Sequence, residues 1–141
     1  MDKNNIATMN TTVLAYLGDS VYELFVRRHV LDSGQVNADK LHKSAVKYVQ
    51  AEAQATALKK MLSSLDPKEL GLVKRARNKK TTSRPKNVDP ILYKWATAFE
   101  ALIGYLYLID NKTRLMEVVN EAIAIIEESK SVQHDRKKNK E

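Results

Sequence analysis

Hydrophobic positions recur three and four residues apart along most of the chain, and this spacing predicts α-helices. The first predicted helix runs from about Thr12 to Leu31, and its main apolar stripe comprises Val13, Leu14, Leu17, Val21, Leu24 and Phe25. A second helix, rich in alanine, is predicted from about Asn37 to Leu62. No segment shows the strict alternation of apolar and polar residues that is typical of a half-buried β-strand.

Two Asp-Pro pairs mark the starts of further helices. A third helix is predicted to begin at Asp66-Pro67 and a fourth at Asp89-Pro90, because Asp can cap a helix and Pro suits the first helical position. The fourth helix continues to about Ile109, and a fifth runs from about 113 to 129. The pattern therefore predicts an all-α protein of about five main helices.

Composition narrows the class of protein. The 141 residues are 43% hydrophobic, which suffices for the core of one domain. This domain is predicted over residues 1–130. A basic, disordered tail is predicted at 131–141. The absence of cysteine excludes disulfides, thiol catalysis and zinc sites built on thiolates. No apolar run is long enough to span a membrane and the N-terminus lacks the apolar segment of a secretory signal, so a cytoplasmic location is expected.

The positive charge is concentrated in one segment. The chain carries 24 Lys and Arg against 17 Asp and Glu, a formal net charge of +7. Residues 74–86 contain no acid, so this segment, here called the basic run, accounts for the whole excess through Lys74, Arg75, Arg77, Lys79, Lys80, Arg84 and Lys86. A solvated surface loop is the ordinary interpretation of such a run; its concentration of charge favours a polyanionic partner.

Two acids lie among apolar and small residues. Asp19 is predicted on the face opposite the main stripe of its helix, yet its neighbours there are Ala15, Gly18 and Tyr22. Glu100 is the only charged residue between positions 95 and 109. A buried carboxylate needs a cationic partner, and two alternatives stay open: a Lys or Arg on another helix, or a metal ion such as Mg²⁺.

The sequences around these acids resemble those of a known family. Residues 14–21, L-A-Y-L-G-D-S-V, resemble the first motif of ribonuclease III endonuclease domains, and residues 97–104, T-A-F-E-A-L-I-G, resemble the second. Leu41-His42-Lys43 and residues 73–78 also have counterparts in the family. With only a short tail after the last predicted helix, the chain is similar to Mini-ribonuclease III, the short bacterial form without a double-stranded-RNA-binding domain.

The resemblance implies a function and a set of site residues. It implies a ribonuclease III-like helical fold and a homodimeric endoribonuclease that hydrolyses both strands of double-stranded RNA, leaving 5′-phosphates. Asp19 and Glu100 are then the catalytic residues and the ligands of Mg²⁺, which Mn²⁺ can replace. The implied substrate is the precursor of large-subunit ribosomal RNA in a bacterial cytoplasm, with a ribosomal protein or particle as a further partner.

The basic run is the candidate RNA contact. Duplex RNA is recognised mainly through its shape, phosphates and 2′-hydroxyls, and the run contains no aromatic residue that could stack on unpaired bases. The predicted contact residues are Lys74, Arg75, Arg77, Asn78, Lys79, Lys80, Arg84 and Lys86.

The sequence also departs from the family pattern. Ala15 and Thr97 stand where the first and second motifs usually carry further acids, so the way in which a metal site is completed is open. Glu23 is a spare candidate, although pairing with Arg27 four residues on is the simpler interpretation. The alternative function is a non-catalytic protein of the same fold that binds double-stranded RNA or the ribosome. A DNA-binding regulator has little support, because no helix-turn-helix pattern stands out.

Overall fold

The computed structural model describes residues 1–80 and 86–138, apart from the side chain of His134. Within these two ranges the chain forms α-helices only, with one short 3₁₀ turn at Leu62–Ser64, which confirms the all-α prediction. The helices are α1 (Lys3–Ala7), α2 (Thr11–Leu31), α3 (Ala38–Val49), α4 (Ala51–Met61), α5 (Pro67–Asn78), α6 (Pro90–Leu108) and α7 (Lys112–Lys138). In this part of the chain, no helix combines the length and apolarity needed to cross a membrane.

Helix α6 is the centre of the fold. Its segment from Ala101 to Leu106 is buried on every side, and α2, α4, α5 and α7 all pack against it. Tyr22 of α2 and Phe99 of α6 meet edge to face, with ring centroids 4.8 Å apart. A helix that is apolar on all faces must be enclosed by others, so this helix fixes where its neighbours lie.

The two Asp-Pro starts are confirmed. Asp66 accepts a hydrogen bond from the backbone N–H of Glu69, and the Glu69 carboxylate accepts one from the backbone N–H of Asp66, which together form a capping box at α5. Asp89 accepts a hydrogen bond from the backbone N–H of Ile91 and caps α6. Both helices therefore begin where the sequence indicates.

The second predicted helix is two helices. Gln50, with φ −64° and ψ 150°, is extended and separates α3 from α4. The Tyr22 hydroxyl donates a hydrogen bond to the carbonyl oxygen of Tyr48, 3.2 Å away, and so satisfies a group in the last turn of α3. This break depends on a contact between distant residues, which the spacing of apolar positions does not reveal. The short helix α1 was not predicted either.

The prediction of which face of α2 is buried was partly wrong. Val13 and Leu24, placed in the main stripe, are 53% and 68% exposed. The buried face instead comprises Thr11, Leu14, Ala15, Gly18, Val21, Tyr22, Val26 and Val30. Small residues determine which face of α2 is buried, because they let α2 approach α6 more closely than a stripe of large side chains would.

The last helix is longer than predicted. Its predicted end was about residue 129, with a disordered tail from 131, whereas α7 continues to Lys138. Neither Gly nor Pro follows Ser129, and Lys, Arg and Gln are good helix formers, so nothing stops the helix there. Most side chains from Ser131 to Lys138 are exposed, as their polarity predicts. Residues 139–141 lie outside the described part of the chain.

Candidate active site

Two glycines bring α2 and α6 together. A side-chain carbon at Gly18 would collide with the backbone carbonyl of Glu100, and one at Gly104 would collide with the backbone carbonyl of Leu14. The two helices are therefore in backbone contact at this point, which explains why glycine is needed inside both of them. Close packing of the two helices is therefore the role of Gly18 and Gly104.

The same crossing brings Asp19 and Glu100 together. Asp19 follows Gly18 in α2, while Glu100 lies one turn before Gly104 in α6 and is half-buried. Burial raises the pKa of Glu100 to about 8, and the negative charge of Asp19 and a hydrogen bond between the two carboxyl groups act in the same direction. Asp19 is more exposed and faces solvent at the edge of the crossing. The predicted catalytic residues thus form one pair at the surface.

The pair has no basic partner in the described residues. None of the salt bridges formed by residues 1–80 and 86–138 involves Asp19 or Glu100. The alternative in which each acid pairs with Lys or Arg on another helix is therefore not observed here. Two carboxylates side by side, one of them held out of water, repel each other and favour a bound cation.

The donor set fits a hard divalent cation. Both groups offer carboxylate oxygens, the ligands that Mg²⁺ prefers, and Mg²⁺ commonly takes only one or two carboxylates from a protein. Among the described residues no third acid or histidine joins them to make a larger metal-binding group. The other ligands of such an ion would then be water and substrate oxygens.

The structure also shows the surroundings of Ala15 and Thr97, the two positions that depart from the family motifs. Ala15 is buried against the core. The Thr97 hydroxyl donates a hydrogen bond to the carbonyl oxygen of Tyr93 at 2.9 Å, so its proton is used within α6. Glu23 accepts a hydrogen bond from Arg27 at 2.9 Å, and both side chains are largely exposed, which agrees with the simpler interpretation of Glu23.

Part of the basic run holds the N-terminal region in place. Arg75 donates hydrogen bonds to the carbonyl oxygens of Ala7 and Met9, at 3.0 and 3.1 Å. Lys79 donates to the side-chain oxygens of Asn10 and Thr12. These contacts tie the end of α5 to the connection between α1 and α2. Arg75 and Lys79 therefore have a structural role in addition to any contact with RNA.

The other residues of the run differ in their surroundings. Arg77 is half-buried, with its guanidinium 4.9 Å from the ring centroid of Trp95. The side chains that reach solvent are Lys74, Asn78, Lys80 and Lys86. The predicted contact residue Arg84 lies outside the described residues. Sequence analysis did not identify Lys59 of α4, whose Nζ lies 5.4 Å from the same Trp95 ring, because residues so far apart in the chain share no helical spacing.

Comparison with known proteins identifies relatives over most of the chain. Residues 12–111 match the family model described as the ribonuclease III domain. The chain is 50% identical to Mini-ribonuclease 3 of Brevibacillus brevis over 118 residues, which are 84% of this chain and 88% of that protein. It is 46% identical to Mini-ribonuclease 3 of Symbiobacterium thermophilum over 123 residues, 87% of this chain and 95% of that protein.

A solved structure is similar as well. A crystal structure of a protein from Fusobacterium nucleatum matches with a TM-score of 0.75 and 34% sequence identity. The match covers 85% of this chain and 96% of that one.

Proposed function

Because the chain belongs to the ribonuclease III family, as an endoribonuclease similar to the Mini-ribonuclease 3 proteins, we propose that it is a metal-dependent enzyme that cleaves double-stranded RNA. The observation that carries the proposal is the Asp19–Glu100 pair, in which Asp19 helps to raise the pKa of a half-buried Glu100. Two acids so placed are costly to the fold, and Asp19 and Glu100 would offset that cost by holding a divalent cation.

The roles of the two acids follow from their positions. Asp19 and Glu100 would hold Mg²⁺, for which Mn²⁺ is a chemical substitute, and the ion would stabilise negative charge on the phosphate and supply the nucleophile. In the hydrolysis a water oxygen bonds to phosphorus, the bond from phosphorus to the 3′ oxygen breaks, and a proton ends on that oxygen. The products carry a 5′-phosphate and a 3′-hydroxyl. Glu100 keeps its place because α6 is enclosed by the fold.

The basic run supports the choice of duplex RNA. Lys74, Lys80 and Lys86 reach solvent, and Asn78 adds a neutral donor for phosphate or ribose oxygens. The proposed contact also includes the other basic residues of the run, which are Arg75, Arg77, Lys79 and Arg84. Arg75 and Lys79 in addition hold the N-terminal region in place. The run contains no aromatic residue, which favours a duplex over a single strand.

A homodimer is proposed from the outer face of α2. Val13, Tyr16, Leu24 and Leu31 are 53%, 83%, 68% and 53% exposed, and they follow one another at helical spacing beside Asp19. An apolar face of this kind is typical of a surface that another protein covers. Two copies joined there would present two acidic pairs, one for each RNA strand. Sedimentation of the Leu24→Glu variant tests this: we expect a monomer, and an unchanged dimer would place the interface elsewhere.

The family resemblance supplies the proposed biological role. It suggests maturation of the large-subunit ribosomal RNA precursor in a bacterial cytoplasm, with a ribosomal protein or particle as a partner. The 5′ ends of that precursor in cells lacking the protein would test the role. Ends identical to those of normal cells would contradict it.

The decisive experiment on activity uses RNA and metal alone. Purified protein is incubated with a long RNA duplex and, separately, with each of its single strands, in Mg²⁺ or in EDTA. We expect the duplex alone to be shortened, only in Mg²⁺, with 5′-phosphates on the products. Cleavage that persists in EDTA, equal cleavage of the single strands, or a gel shift without shortening would contradict the proposal.

A further inference from the structure

Two cations from different helices share one aromatic ring. Trp95 of α6 has the guanidinium carbon of Arg77, from α5, 4.9 Å from its ring centroid, and Nζ of Lys59, from α4, 5.4 Å from it. Both distances are within the range of cation–π contacts. The two charges consequently lie about 10 Å apart at most.

Neither cation has an acidic partner in the described residues. The salt bridges formed by residues 1–80 and 86–138 include neither Lys59 nor Arg77. Lys59 is exposed, and its neighbour Lys60 points elsewhere, donating a hydrogen bond to the Ser129 hydroxyl of α7 at 3.2 Å. The Trp95 ring thus contacts two positive charges to which the described residues supply no acid, and a polyanion would neutralise them.

This pair of cations continues the basic run. Arg77 belongs to the run, while Lys59 carries the positive surface past Trp95 onto α4. On the opposite side of α5, Arg75 and Lys79 direct their donors into the connection between α1 and α2. Arg77 and Lys59 therefore carry the positive surface of α5 toward α4.

We propose that Lys59, Arg77 and Trp95 form a phosphate-contact site that extends the RNA-binding surface from α5 onto α4. The site rests on the proposed binding of duplex RNA and adds to it a contact outside the basic run. Trp95 precedes Glu100 by five residues, about 7.5 Å along α6 at 1.5 Å per residue. The same five residues rotate the helix by about 140°, so Trp95 and Glu100 lie on different faces of α6, and Lys59 and Arg77 would give the duplex a point of attachment separate from the acidic pair.

The test compares two neighbouring lysines in RNA binding. Affinity for a short RNA duplex is measured in EDTA, so that metal-dependent cleavage does not interfere, over a series of salt concentrations. We expect Lys59→Gln to weaken binding about two- to fivefold and to reduce the salt slope by about 1. Lys60→Gln removes the same charge from the same helix and should leave both values as in the unchanged protein. Lys59→Arg should retain binding.

The only tryptophan of the chain gives a second readout. Because Trp95 is the sole tryptophan, its fluorescence should change when the duplex binds, and the change should be smaller for Lys59→Gln. Equal affinity and salt slope for Lys59→Gln and Lys60→Gln would overturn the site while leaving the proposed function intact. Failure of the unchanged protein to bind any duplex would overturn both.

Discussion

Glu69 and Glu100 are both shielded from water, but the side chains beside them carry opposite charges. Glu69 of α5 is 2% exposed, and Arg114 of α7 donates to both of its carboxylate oxygens, at 2.8 and 2.9 Å. The backbone N–H of Asp66 donates to it as well. Glu100 of α6 is half-buried, and the side chain that it faces is another acid, Asp19.

The difference separates an acid with a structural partner, Glu69, from the acid proposed to be functional, Glu100. Glu69 has all the donors it needs, and its contact with Arg114 joins α5 to α7. Hydrogen bonding to Glu69 also raises the pKa of Arg114 above its usual value. At Glu100 the neighbouring charge opposes ionisation and the described residues offer no cation. An acid to which its own chain supplies no cationic partner is the one to expect at a metal or substrate site.

The largest expected effect is on catalysis. Replacing one acid of the pair, as in Asp19→Asn or Glu100→Gln, should slow cleavage of duplex RNA by about a thousandfold, because a ligand that would hold the divalent cation is lost. Duplex binding should be nearly unchanged, since the proposed RNA contacts are elsewhere. Cleavage rates and affinities are measured on the same preparations.

A matched control is available in the same helix. Glu23 lies one turn beyond Asp19 and pairs with Arg27, so Glu23→Gln should cleave at close to the normal rate. Full activity in Asp19→Asn or Glu100→Gln would remove the acidic pair from the mechanism. Loss of activity in Glu23→Gln would show that the functional acids extend further along α2.

The next largest effect is on stability, at the other acid. Arg114→Met leaves Glu69 buried without its cation, and this should lower the free energy of unfolding by about 3 kcal/mol. Adding Glu69→Gln should recover part of the loss, because the uncompensated charge is gone. Urea unfolding of the single and double variants measures both values. Equal stability of Arg114→Met and the unchanged protein would mean that this contact contributes nothing.

The two candidate acids could be found from the sequence because each stands in a distinctive local setting. Asp19 and Glu100 are acids among small and apolar residues within motifs that resemble those of the family; their role as a catalytic pair stays a prediction. The helix starts at Asp66 and Asp89 were also predictable, since a cap and its helix are adjacent in sequence.

What the sequence did not reveal depends on contacts between distant residues. The burial of Glu69 against Arg114, 45 residues away, follows from how α7 packs. The break at Gln50 and the exposure of Leu24 likewise depend on neighbouring helices. Hydrophobic spacing finds a helix and its apolar positions, but when a helix is apolar on two faces it does not say which face the core will take.

The smallest expected effect is a pH dependence of metal-free stability. The pKa of Glu100 is about 8 in the folded protein and about 4.5 when unfolded, so between these values the folded state binds more protons and stability falls as pH rises. In EDTA, Glu100→Gln should remove this fall and melt a few degrees higher than the unchanged protein at pH 8. The difference between the two melting curves should vanish near pH 4, where both side chains are neutral. A lower melting temperature for Glu100→Gln at pH 8 would mean that the ionised carboxylate has a stabilising partner, and the contrast with Glu69 would then disappear.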